Sequence, residues 1–336
     1  MSECPPSAIV PADFEAIAQQ PLRDRAELLT AFADFLHVDV GAGDAAADTI
    51  RTYSAQLQQF LQWCDRSDRH PLDVTQREIK RYRRWLVESR SYKPATVALK
   101  LSVLRRFYDA LIERELLSVN PALGIRAPRE KRDPAERITY LERDELVELL
   151  AAIPDDNSLK ALRDRALIAI MALEGPRTVE MHRANLADWQ RQGRRCGIRV
   201  EGKRSIRIVP LTDDIAALLQ HYLTSREAQG DRLVASSPLF AAVGNRAGGK
   251  RLTRRGIRQV VDGYLQQAGL KHRDGRTLST HSLRHTAGTL SLQAGADLRQ
   301  VQDLLGHADP RTTATYAHVA DRWQNNPARH VDVPLR

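Results

Sequence analysis

The residues best suited to chemistry in this 336-residue chain crowd toward its C-terminal end. They are Thr280-His281-Ser282-Leu283-Arg284-His285, then Leu305-Gly306-His307, then Thr315-Tyr316. If the first group is helical, His281, Arg284 and His285 fall at i, i+3 and i+4 and share one face. Such a face is a cationic site for an anionic group, although each histidine taken alone is more ordinary as a satisfied core or surface residue. Two histidines four apart with a third nearby could also hold Zn²⁺. Arg284 stands where it would repel a dication, and no carboxylate lies between the histidines as a zinc-hydrolase motif requires. The expectation is therefore no metal and no other cofactor.

Taken together, the motifs have a known likeness. His281-Ser-Leu-Arg284-His285, Leu304-Leu305-Gly306-His307 and Thr313-Ala-Thr-Tyr316-Ala-His318-Val resemble the C-terminal signature of tyrosine recombinases, the Xer and phage-integrase group. Upstream, Leu173-Glu174-Gly175-Pro176-Arg177-Thr178-Val179-Glu180 resembles the segment that presents the family's first catalytic arginine. Gly202-Lys203-Arg204, ahead of Arg207-Ile-Val209-Pro210-Leu211, resembles the hairpin that carries its lysine. The resemblance spans about residues 48–320. Two features depart from the family pattern: Pro176 replaces the usual residue before the first arginine, and the hairpin turn is short. The second leaves open whether Lys203 or Arg204 faces the leaving oxygen, with Lys203 the better proton donor.

The resemblance implies a division of labour. Tyr316 attacks a DNA phosphodiester and forms a 3′-phosphotyrosine. A free phenol has a pKa near 10, so about one molecule in a thousand is ionised at pH 7, and an electropositive site with a nearby base is needed. Arg177 and Arg284 would hold the non-bridging oxygens. Lys203 would protonate the departing 5′-oxygen, His281 would act as base or proton partner, and His307 would donate to a phosphate oxygen. Glu180 would orient Arg177, and His285 would be a supporting residue. Guanidinium and ammonium groups would thus replace a metal ion. The expected partners are double-stranded DNA with inverted half-sites and further copies of the chain, two on a site and four in synapsis. A second recombinase or an accessory protein is left open. A type IB topoisomerase and a non-catalytic, sequence-specific DNA-binding regulator are the alternative readings.

These side chains need a scaffold, and periodicity outlines one. Residues 49–64, 76–89 and 94–111 carry apolar residues at steps of three and four, which predicts helices, with a fourth short segment at 115–123. The proline-rich, charged stretch Pro121–Pro134 reads as a linker. Beyond it, helices are expected over 143–152, 164–173, 213–229, 253–268, 280–294, 297–305 and 310–318. Cys196–Leu211 reads as a β-hairpin, with Ile198 and Val200 alternating on one strand and Ile206 and Ile208 on the other. The expected class is mainly α: an N-terminal helical, SAM-like core-binding domain over 44–128, a linker over 129–137, and a mostly α catalytic domain with a small antiparallel sheet over 138–320. Residues 1–43 form an acidic extension that includes a short helix, and 321–336 a tail able to dock on a neighbouring copy.

Charge follows the same division. The chain has 51 Lys and Arg against 42 Asp and Glu, a net of +9. Residues 1–43 hold two bases and seven acids, whereas 44–128 hold fifteen bases and ten acids. A polyanion should therefore be gripped after residue 43. Candidate DNA contacts are Arg77, Lys80, Arg81 and Arg84 on the second predicted helix, and Lys100, Arg105 and Arg106 on the third. In the later domain they are Lys250, Arg251, Arg254, Arg255 and Arg258. Cys4, Cys64 and Cys196 include no CxxC pair, the first ten residues do not read as a signal peptide, and no apolar run is long enough to span a bilayer. A cytoplasmic, nucleoid-associated protein without a disulfide framework is expected.

Overall fold

The computed structural model describes residues 24–38, 47–130, 138–193, 195–202, 206–244 and 248–317. The chain divides into two compact units, 1–131 and 132–336.

The first unit is helical: α1 (Arg25–Val38), α2 (Ala47–Arg66), α3 (Gln76–Glu88) and α4 (Pro94–Glu113). Local chemistry starts each of the last two. Glu78 accepts the Thr75 backbone N–H at 2.8 Å, closing a capping box at the head of α3. Pro94 opens α4, where its missing N–H costs nothing. The core is aromatic. Phe60 meets Tyr82 edge-on at 5.0 Å and Tyr108 at 6.2 Å, while the buried Tyr108 hydroxyl donates to the Pro71 carbonyl at 3.1 Å.

Helix α1, from the acidic segment, is part of this core. It inserts Leu28, Phe32, Phe35 and Leu36, all buried, and Phe32 packs edge-on to Phe107 at 5.8 Å. The expected helix at 115–123 is instead a run of turns. Glu115 takes a left-handed φ of 57°, and Asn120 pins the loop by donating to Asp109 at 2.7 Å and accepting from the Ala122 N–H. Asparagine satisfying nearby main chain in this way favours turns over helix.

The second unit opens with an extended strap whose Leu141 N–H donates to the buried Thr286 hydroxyl at 2.9 Å. Helices α5 (Arg143–Ala151) and α6 (Leu159–Ala169) follow. Helix α6 continues into a single π turn, Ile170–Glu174, which ends at Gly175 in the left-handed conformation. The expected helix at 164–173 thus begins earlier and ends in a wider turn. After α7 (Thr178–Arg183) comes a three-stranded antiparallel sheet, β1 (Trp189–Gln192), β2 (Arg195–Glu201) and β3 (Ile206–Leu211), in that order. Strand β1 has no counterpart in the sequence reading, because its four polar or half-exposed residues give no alternating pattern. The chain closes with α8 (Asp213–Ala228), α9 (Arg254–Gln267), α10 (Thr280–Gln293), α11 (Leu298–Leu305) and α12 (Pro310–Ala317). Among the described residues no helix is long and apolar enough to cross a membrane.

The orientation of β3 reverses the expected one. Ile206 and Ile208 are exposed, whereas Val209 and Leu211 are buried and Arg207 shares their inward face. The reason is electrostatic: the partners of Arg207 lie inside, as described below.

If α1 belongs to the N-terminal core, Phe32→Ala should destabilise that unit by about 3–5 kcal/mol. Urea unfolding of the full chain measures this, and a change within error would show α1 to be an appendage.

Candidate active site

Three guanidinium groups converge on the C-terminal end of α11. Its last carbonyls have no partner within the helix. The chain turns away through Gly306 in the left-handed conformation, so that the His307 N–H bonds the Gln302 carbonyl. Asp303 O accepts the Gly306 N–H, and the three carbonyls after it go to arginines. Arg207 donates to Leu304 O at 3.1 Å, Arg284 to Leu305 O at 2.5 Å, and Arg177 to Gly306 O at 3.2 Å. Arg284 also donates to Gly175 O, at the end of the π turn.

One carboxylate balances two of these cations. Glu180, 1% exposed, accepts from Arg177 at 2.9 Å through Oε1 and from Arg207 at 3.0 Å through Oε2. It also accepts the Arg177 backbone N–H at 2.7 Å, capping α7. Glu180 thus orients Arg177 as the spacing suggests, and binds a second arginine as well. Burial, reinforced by Arg177, lowers the Arg284 pKa to about 10. Burial likewise lowers that of Arg207, against the pull of Glu180.

Two glycines permit this packing. A Cβ on Gly306 would fall 2.4 Å from Arg207 Nε, and one on Gly175 would fall 2.6 Å from Leu305. Both positions also require positive φ.

Tyr316, on α12, is 2% exposed and packs with Ala287, Val301 and Leu305. Gly288 makes room for it, since a Cβ there would lie 3.2 Å from the tyrosine ring. The phenol oxygen lies 2.7 Å from His285 Nδ1. Burial raises the tyrosine pKa, and Arg284 only partly opposes this, so the DNA-free site stabilises the neutral phenol. His307 stacks parallel to the Tyr316 ring at 6.2 Å, its Nδ1 2.9 Å from the Thr313 hydroxyl. His281 sits at the exposed rim, its ring 4.4 Å from that of His285. Burial and the adjacent cations push His285 down to about 3 and His307 to about 4, and lower His281 as well. The His285 and His307 imidazoles are therefore neutral at pH 7.

The fold thus brings Arg177, Glu180, His281, Arg284, His285, His307 and Tyr316 into one cluster. Lys203 and Arg204, which fall in sequence between β2 and β3, lie outside the described residues, as does His318. Among the described residues, no group of three or more His, Cys, Asp or Glu is placed to hold a metal ion. Arg207 and Thr313 were missed in the sequence. The available signal for Arg207 was a charge in register with Val209 and Leu211.

The candidate DNA contacts separate into two kinds. Arg77, Lys80, Arg81, Arg84 and Arg106 are exposed, as are Lys250, Arg255 and Arg258, with Arg254 half-buried beside them. Lys100 is different: it is 5% exposed, bonded to Gln56 and Gln59, with its ammonium 4.8 Å from the Tyr92 ring centre. Arg105 donates to Ile125 O. Arg251 is bound to the carbonyls of His182, Arg183 and Ala184 at the end of α7. These three brace the fold.

Residues 139–322 match the phage integrase family, and residues 28–117 match the N-terminal SAM-like domain of phage integrases. The tyrosine recombinase XerC of Pelotomaculum thermopropionicum is 35% identical over 254 residues, 74% of this chain and 78% of that protein. This chain belongs to the phage integrase family. The tyrosine recombinase XerD of Pseudomonas aeruginosa is 33% identical over 317 residues, covering 93% and 97% of the two chains. Among solved structures, XerH bound to a palindromic difH substrate has a TM-score of 0.71 at 21% identity, covering 92% and 97%. A lambda integrase dimer bound to a COC′ core site has a TM-score of 0.66 at 17% identity, covering 93% and 99%. These likenesses are of fold. With the family established, the chain is a tyrosine site-specific recombinase.

Replacing Glu180 by Gln leaves two arginines around a buried neutral amide, and should cost about 3–5 kcal/mol. Chemical unfolding tests this, and a loss below about 1 kcal/mol would contradict the shared-carboxylate geometry. The histidines give a second expectation. His285 and His307 each bind a proton near pH 6.5 when unfolded but only near 3 and 4 when folded, so their contribution is intact above pH 6.5 and falls as pH drops toward 4. The thermal midpoint should decline over that window, less steeply in His285→Asn. An equal slope in the variant would refute it.

Proposed function

We propose that Tyr316 is the nucleophile of strand cleavage, and that Arg177 and Arg284 hold the scissile phosphate. The observation that carries this reading is the convergence of both guanidiniums, through adjacent carbonyls, on the cluster that also contains the tyrosine hydroxyl. Each guanidinium has five N–H groups. The carbonyl and carboxylate contacts occupy two on each, fixing its plane while leaving donors for non-bridging oxygens. Negative charge developing there meets donors already in place, which is where most electrostatic catalysis arises.

Thr313 supports a role for His307. With Nδ1 accepting the threonine hydroxyl, the imidazole carries its proton on Nε2, ready to donate to a phosphate oxygen. His281 at the rim serves as proton partner to solvent. Lys203 is assigned the leaving 5′-oxygen by its place between β2 and β3. The phosphotyrosine conserves the energy of the broken bond, so resealing needs no nucleotide.

The exposed bases of α3 and α9 are the phosphate and groove contacts in this reading, arginine to guanine being the base contact expected of α9. Two copies on inverted half-sites and four in synapsis complete the assembly, with the tail beyond Ala317 docking between copies. The protein acts on nucleoid DNA, alone or with a second recombinase or accessory factor.

The deciding experiment uses a nicked suicide duplex carrying inverted half-sites selected by binding, in EDTA. Wild type should form a covalent protein–DNA adduct, Tyr316→Phe none, and Arg177→Ala or Arg284→Ala at least 100-fold less. Binding without an adduct would instead favour a regulator. Relaxation of supercoiled DNA lacking the site would favour a topoisomerase.

A further inference from the structure

In the family-like signature the histidine three residues before Arg284 is the expected proton partner, yet the structure places the next histidine on the nucleophile. Among the described residues, the Tyr316 hydroxyl has its hydrogen bond to His285 Nδ1, at 2.7 Å, with the two rings 5.5 Å apart and tilted by 54°. His281, one turn earlier on α10, meets the edge of the His285 ring and faces solvent. We propose that His285 is the immediate proton acceptor for Tyr316 in strand cleavage, with His281 passing the proton on to solvent. This rests on Tyr316 being the nucleophile.

The step balances without a co-reactant. The phenolic O–H breaks and its proton goes to His285 Nδ1. The phenol oxygen bonds to phosphorus as the P–O5′ bond breaks, and the 5′-oxygen takes a proton from a cationic donor, assigned above to Lys203. Religation runs the same transfers backwards.

Three features of the site favour His285. Its ring is neutral at neutral pH, because burial and the surrounding His281, Arg284 and His307 disfavour the imidazolium, and in the Nε2–H tautomer Nδ1 accepts from the phenol. A phosphate bound by Arg177 and Arg284 offsets part of that cationic field, so proton uptake becomes easier when DNA is present. His285 also follows Arg284 directly on α10, which ties the base to the phosphate clamp through one rigid helix. Gly288 and Leu305 hold the tyrosine ring so that its oxygen stays on Nδ1.

The test separates proton acceptance from positioning. Asn at 285 places an amide oxygen near the Nδ1 position, so it accepts the hydrogen bond but cannot take the proton. On the suicide duplex, His285→Asn should bind DNA as wild type does and form adduct about 10²–10⁴-fold more slowly. Fluorinated tyrosine at position 316, which ionises without a base, should recover at least tenfold of that loss at pH 8. His281→Asn should lose less than His285→Asn. If His285→Asn disturbs folding, judged by DNA binding, His285→Gln is measured in the same way. Near-wild-type cleavage by the variant, no recovery with the fluorinated residue, or a larger loss in His281→Asn would each overturn the proposal. An adduct from Tyr316→Phe would instead overturn the nucleophile assignment beneath it.

Discussion

The last two carbonyls of α11 and that of Gly306 point out of the helix with no N–H within it to donate to them, and each is answered by a different arginine. The negative end of a helix is favourable for cations, but three guanidiniums side by side also repel one another. Glu180 relieves the repulsion between two of them, and the third, Arg284, is anchored at both ends by carbonyls. Three further features of the site can be traced to this arrangement. The π turn places the Gly175 carbonyl beneath Arg284, Gly306 keeps its backbone clear of Arg207, and β3 turns its arginine inward at the expense of exposing two isoleucines.

Burial sets the protonation state of the centre, with the same cations reinforcing it at the histidines. Imidazoles buried beside guanidiniums lose their protons, and a phenol buried among apolar side chains keeps its own. The cluster holds a neutral tyrosine–histidine pair beside the guanidiniums of Arg177 and Arg284. In the proposed reading a bound phosphate supplies negative charge beside Arg177 and Arg284, so DNA binding and proton transfer from Tyr316 are linked through one electrostatic balance.

In the N-terminal unit, charge is sorted by burial. The basic side chains of α3 reach solvent, whereas Lys100 on α4 is held inside by two glutamines and a tyrosine face. An ammonium taken out of water must be hydrogen-bonded, and amide oxygens do this without neutralising it. The acidic helix α1 contributes chiefly through Phe32 and its neighbours, so its negative charge lies on the outer side of a helix whose other face is core.

The sequence by itself determined most of the elements and named the candidate reactive groups. Helical spacing marked α2 to α4 and α9 to α12 closely, because one-sided burial writes a period of 3.6 into the residues. Motif order named Arg177, Arg284, His307 and Tyr316 before any geometry was known. Tertiary structure alone decided which polar residues face which. Arg207 reads as one more surface base until Glu180 and α11 are brought to it from 27 and 97 residues away. His285 reads as a neighbour of Arg284 until α12 lays the tyrosine oxygen on its ring, 31 residues away in the chain. Lys100 and Arg251 read as DNA contacts until their partners are found within the fold. Periodicity records whether a side chain is buried; it carries no record of the distant group that makes burying a charge tolerable.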